Sequence, residues 1–146
     1  MGLLADFFVA TPAEALRYAN RLSEPDEGEE IEKLLAPAQY KGCTGLELGT
    51  LWAILEGKEW DVGKHMPEDV AVGDDEESWL YRFPDELTGL LAEADRDAIE
   101  TAAITWAKTE ELDCDPEDIK PVLADLQLLA RDAISKHKAV YLWGCV

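Results

Sequence analysis

The sequence predicts a mostly helical α+β domain, with five to six helices and a small sheet of about three strands near residues 5–10, 78–83 and 139–146. Three observations predict it. Strand formers cluster at Phe7-Phe8-Val9, in the alternating run Trp79-Leu80-Tyr81-Arg82-Phe83, and from Ala139 to Val146. The segments between them carry apolar residues at helical spacing, opened by capping residues and prolines. A length of 146 residues with 47% hydrophobic content fits one globular domain over 1–146.

The first strand stops at Thr11-Pro12. Thr11, Pro12 and Glu14 then make a helix start: a cap, a first-position proline and the acid that closes a capping box. Ala15, Leu16, Ala19 and Leu22 continue that helix to about Ser23. A shorter helix is expected over 29–36, with Ile31, Leu34 and Leu35 inward and Pro37 as its stop. Thr44-Gly45-Leu46-Glu47 repeats the capping-box pattern. It opens a strongly apolar helix through Leu48, Leu51, Trp52, Ile54 and Leu55, closed by Gly57.

Residues 58–77 read as a long irregular connection, which in a small domain points to function or mobility. After the second strand, Pro84 starts a helix through Leu87, Leu90 and Leu91, and Asp95 caps the next, which carries Ile99, Ala102, Ala103 and Trp106. Asp115-Pro116 opens a last helical region running to about Lys138. Within it, Pro121 is expected either to split off the first turn or to occupy the true first position. In the final strand Val140, Leu142 and Val146 alternate with Tyr141, Trp143 and Cys145. Its expected pairing partners are the Phe7 and Trp79 segments.

The formal net charge of −19 is concentrated in three windows, 24–32, 68–77 and 110–118. Each holds six carboxylates and no Lys or Arg; elsewhere 14 acids face 13 bases. Such a chain repels nucleic acid and anionic membrane surfaces, and any macromolecular partner is expected to be basic. A salt-adapted surface would instead spread its acids evenly, which the near-neutral remainder argues against.

Several classes of chemistry find no support. The serines Ser23, Ser78 and Ser135 lie outside any nucleophile elbow, and no phosphate-binding glycine loop occurs. Asp113, Asp115 and Glu117 imitate the start of a calcium loop, but Asp118 stands where glycine is needed and Ala124 where the closing glutamate belongs. Cys43, Cys114 and Cys145 are far apart and read as free thiols of a reducing cytoplasm. Asp6 breaks the short apolar N-terminal run, which lacks a basic leader, and no apolar run reaches the roughly 20 residues of a bilayer span. A cytoplasmic location is the resulting expectation. No catalytic residue, metal ligand or cofactor is assigned.

The candidate binding residues lie in 58–77: Trp60, His65, Glu68, Asp69, Asp74, Asp75, Glu76 and Glu77. Trp60 sits between Glu59 and Asp61. An exposed indole there would make a binding hot spot, whereas one folded back would simply cover the core. His65 has Glu68 and Asp69 nearby, the residue types of an acid–base or metal site. The window 68–77 leads into a strand, so its acids have no helix dipole to serve.

The Met1-Gly2 start, Leu51-Trp52-Ala53-Ile54-Leu55-Glu56-Gly57 and Tyr81-Arg82-Phe83-Pro84-Asp85-Glu86-Leu87 form a pattern. Completed by a last helix and the apolar strand at 139–142, it resembles the YfbM-like family of uncharacterised bacterial proteins over most of the chain. The resemblance implies an α+β fold and a bacterial origin, and transfers no catalytic residue. The acidic windows are not part of it. The leading functional expectation is a non-enzymatic, immunity-like binding module for a basic protein partner. The alternative is a small-molecule- or metal-dependent enzyme with its site in the 58–77 loop.

Overall fold

The computed structural model describes residues 4–21, 25–41, 45–61, 63–66, 68–72, 78–109 and 112–145. In chain order the elements are β1 (Leu4–Ala10), α1 (Pro12–Ala19), α2 (Pro25–Leu35), β2 (Ala38–Lys41), α3 (Gly45–Glu56), β3 (Glu68–Val72), β4 (Ser78–Arg82), α4 (Asp85–Glu93), α5 (Arg96–Ala107), α6 (Pro116–Lys136) and β5 (Ala139–Cys145). The strands form one antiparallel sheet in the order β2-β1-β5-β4-β3. The fold is α+β, and the three expected strands are its three middle ones.

Strand alternation sorts the sheet into two faces. Phe8 lies opposite Tyr141, and Leu80 opposite Trp143. These side chains meet Ala15 and Tyr18 of α1 and Ile31 of α2 in a compact, aromatic-rich core. The other face presents Ala5, Phe7, Val9, Val140 and Leu142 to a larger core. There α6 lies against β1 and β5, while α5 and α3 pack behind. Trp106 of α5 is fully buried and donates its indole N–H to the Glu47 carbonyl of α3 at 2.9 Å.

The helix starts follow the local sequence. Thr11 and Glu14 complete the capping box, with Glu14 N–H to Thr11 Oγ1 at 3.2 Å and Thr11 N–H to Glu14 Oε1 at 2.9 Å. Lys138 Nζ also reaches Glu14, at 3.1 Å. The backbone N–H of Thr11 is the main reason the Glu14 carboxyl lies below its ordinary pKa. Asp95 and Asp115 cap α5 and α6.

Four local expectations shift. The first helix ends at Ala19 rather than near Ser23, because Arg21 turns inward to the aromatic core. The second begins a turn early, at Pro25, where a fixed φ and following acids suit a helix start. Pro121 neither splits the last helix nor opens it. Pro116 holds the first position, and Ile119, Val122 and Leu123, buried on both sides of Pro121, carry the helix through it. Within the expected irregular connection, residues 68–72 add an edge strand to β4, with a register shift between Asp69 and Ala71. A short β2 closes the opposite edge.

Leu142 is fully buried in the central strand. Leu142→Ala should lower unfolding stability by about 2–5 kcal/mol, read from denaturant midpoints at unchanged slope.

Candidate functional site

The loop after α3 is organised by two residues. Asp61 accepts the backbone N–H groups of Lys64 at 3.0 Å and His65 at 2.7 Å on its carbonyl, and that of Gly63 at 2.8 Å on Oδ1. Its own N–H donates to His65 Nδ1 at 2.8 Å. The ring proton of His65 is therefore on Nε2, which donates to Glu56 Oε1 at 2.6 Å. The ring is 1% exposed and meets Trp52 edge-on at 5.3 Å between centroids. Glu56 Oε2 accepts from Lys64 Nζ at 2.8 Å. Those two hydrogen bonds, from Lys64 first and His65 second, hold the Glu56 carboxyl down to about 2.

His65 thus points inward, and both of its nitrogens are engaged in fixing the loop to α3. The approach is close. A Cβ on Gly49 would lie 1.9 Å from the His65 carbonyl oxygen and 3.2 Å from Trp60 Nε1. Trp60 turns its indole nitrogen towards α3 yet stays 43% exposed.

The other candidates of this segment lie apart from His65 in role. Glu68, on the β3 edge, pairs with Arg82 Nη1 at 2.7 Å, and Arg82 Nη2 reaches Asp85 at 2.9 Å. Those contacts raise the Arg82 pKa against an opposing effect of burial. Asp69 is placed by its backbone alone, opposite Tyr81. Asp74, Asp75, Glu76 and Glu77 lie outside the described residues. No group of three or more His, Cys, Asp or Glu among the described residues could hold a metal ion.

The acidic windows do not share one face. In the first, Asp26, Glu29 and Glu30 are exposed on α2, which belongs to the layer packed on Phe8 and Tyr141. In the third, Asp113, Asp115, Glu117 and Asp118 are exposed just before and within the first turn of α6, in the opposite layer. Two of these have local partners: Asp115 caps the helix, and Glu117 pairs with Lys120 at 2.9 Å.

A third location emerges where α1 and α2 leave the β1–β2–β5 corner of the sheet uncovered. A cavity of about 440 Å³ is lined there by Leu4, Asp6, Arg21, Gln39, Tyr40, Trp143 and Cys145. Asp6 and Arg21 are both more than nine-tenths buried, and their closest approach is 3.5 Å, from Nη2 to Oδ2. Tyr18 donates its hydroxyl to the same Oδ2 at 2.5 Å. Burial, then this bond, pushes the Tyr18 hydroxyl far above its ordinary pKa, so it stays a donor.

The guanidinium of Arg21 lies between the Tyr18 and Trp143 rings, 4.0 Å from each centroid. Nε reaches Glu32 at 3.2 Å, and Nη1 donates to the Tyr18 carbonyl at 3.0 Å. Gly28 of α2 makes this possible, since a Cβ there would sit 2.5 Å from the Arg21 carbonyl oxygen.

Neither a protein-family model, nor a curated protein, nor a solved structure matches this chain. The corner is therefore read from its own residues. Sequence reasoning passed over Asp6 and Arg21. The available signal was Asp6 itself, a carboxylate inside a run of strand formers, where the pleat sends it to the same face as Phe8.

Two outcomes follow from the loop. Gly49→Ala should lift the loop from α3, lower stability by about 1–3 kcal/mol and red-shift Trp60 emission, as measured by denaturation and fluorescence. The Glu56 pKa lies below its ordinary 4.5, so its contribution to stability is complete above 4.5 and is lost as pH falls through about 2. The carboxyl carbon resonance of Glu56 should titrate near 2, and a midpoint above 4 would refute the Lys64–Glu56–His65 arrangement.

Proposed function

We propose that this protein is a non-enzymatic interaction module that receives a basic protein surface on the outer face of α2. The observation that carries this reading is the composition of that face. Asp26, Glu29, Glu30, Lys33 and Leu34 follow helical spacing and are exposed, Leu34 to 63%. An apolar side chain among carboxylates has the anatomy of an interface anchor with a charged rim. The single cation of the stripe, Lys33, is already paired with Glu29 at 3.4 Å.

The rest of the molecule supports the sign of the partner. Arg21, Lys64, Arg82, Arg96, Lys120, Lys136 and Lys138 are likewise engaged with acids of this chain. The charge left to face a partner is therefore overwhelmingly negative, which speeds encounter with a basic surface and fixes its orientation. Nucleases and other nucleic-acid-binding proteins carry such surfaces, which is the immunity-like form of the proposal. The YfbM-like resemblance implies an α+β fold and adds nothing to this reading. Among the described residues of 58–77, both His65 nitrogens are engaged in holding the loop, so nothing there favours the enzymatic alternative.

The test uses the full chain as bait in host lysate at low and high salt, beside the triple variant Asp26→Lys, Glu29→Lys, Glu30→Lys. These exposed changes leave the core untouched. A basic protein retained at low salt, released at high salt and absent from the variant is the expected result. Equal retention by both baits would refute the α2 face as the interface.

A further inference from the structure

The loop after α3 leaves two large apolar side chains in solvent. Trp60 is 43% exposed and Met66 39%. Single exposed apolar residues are ordinary, but these two stand at the ends of one closed turn. The Asp61 carbonyl accepts the His65 N–H, and the Asp61 N–H returns to His65 Nδ1, so residues 60 and 66 flank the closure. Lys64 and His65 then fasten the turn to Glu56 of α3.

Ion pairs continue this surface onto two further elements. Lys64 Nζ lies 2.8 Å from Glu56 and 3.9 Å from Glu86 at the start of α4. Beside Glu86, Asp85 shares Arg82 with Glu68 of β3. The acids of this surface are Glu56, Glu59, Asp61, Glu68, Asp85 and Glu86, and its bases are Lys58, Lys64 and Arg82. Six acids against three bases leave a local charge of −3. Lys64 and Arg82 are each shared between two of these acids. Glu59 and Asp61, both exposed, stand on either side of Trp60 in the chain.

We propose that this loop surface is a second docking site, for a basic protein segment that carries apolar side chains among its lysines or arginines. It goes beyond the α2 face and rests on different residues. α2 packs in the layer of Phe8 and Tyr141, whereas the loop is fastened to α3 in the other layer. Three features select that partner. The sign of the surface repels nucleic acid and anionic membranes, and a second copy of this chain would bring the same acids. An exposed tryptophan and methionine within a charged rim are the residue types that anchor protein interfaces. The turn that presents them is already held by its own hydrogen bonds, so little ordering is left to oppose binding.

The test is a titration of the ¹⁵N-labelled full chain with synthetic peptides of lysine and leucine, of lysine and serine, and of glutamate and leucine. The lysine–leucine peptide should shift the Trp60 indole and Met66 amide resonances saturably. Its affinity should exceed that of the lysine–serine peptide at least about tenfold. The glutamate–leucine peptide should leave both resonances in place. Trp60→Ala should weaken lysine–leucine binding, followed at Met66, at least about tenfold. Glu59→Lys, an exposed change that leaves the bonds of the turn intact, should weaken it at least about threefold. The Trp60 response should persist in the Asp26→Lys, Glu29→Lys, Glu30→Lys variant, which separates this surface from the α2 face. Equal affinity for the lysine–serine peptide would show that charge alone attracts and would overturn the proposal. The absence of any saturable shift, or loss of the response in the α2 variant, would overturn it as well. So would unchanged affinity in Glu59→Lys or in a folded Trp60→Ala variant.

Discussion

The insertion of β5 between β1 and β4 is the constraint on which both layers depend. Seven residues of β5 pair with the whole of β1, and five of them also pair with β4. Without that strand the chain has two separate ribbons, β2–β1 and β4–β3, each too small to hold a hydrophobic face on its own. With it, Tyr141 and Trp143 complete one core while Val140 and Leu142 complete the other. The strict period of two in β5 therefore decides the side chains of both layers at once, and a slip of one residue would exchange them.

The smaller layer solves a different problem. It accommodates an ion pair with little water, an arrangement that is rarely stabilising by itself. Here the surroundings compensate: the Tyr18 and Trp143 rings, at 79° to one another, each lie 4.0 Å from the guanidinium carbon, a phenol serves the carboxylate, and Glu32 adds a second anion for Arg21. α2 can come close enough to supply Glu32 only because residue 28 is glycine. The same helix turns its remaining acids outward, so one amphipathic segment supports the buried charge and carries the acidic face.

Much of the architecture was legible from local chemistry. Thr11 with Glu14, Asp95, and Asp115 with Pro116 mark helix starts that the structure keeps, and alternation in 78–83 and 139–145 marks strands with the right faces. What local chemistry could not show depended on distant partners. Glu68 and Asp69 are poor strand residues, and β3 exists because β4 offers a ladder. Pro121 stays helical because buried neighbours on both sides outweigh its missing hydrogen bond. The loop candidates were half legible: His65 does turn inward, but its partner Glu56 lies on the preceding helix, within a segment that reads as core. Asp6 and Arg21 are 15 residues apart, and only the sheet and the turn after α1 bring them together.

The position of the central strand has a consequence for how the molecule is made. β1 and β4 both precede β5 in the chain, yet neither can join the other until residues 139–145 leave the ribosome. Until then the edges of β1 and β4 and the aromatic faces of the sheet remain open to association. High contact order of this kind slows closure of the sheet. The helices starting at Pro12 and Pro25 are local and form sooner, and the dense negative charge on the growing chain keeps nascent copies apart during that wait. The acids that face outward in the finished fold are thus already present in the incomplete one, where like charge opposes association before the sheet has closed.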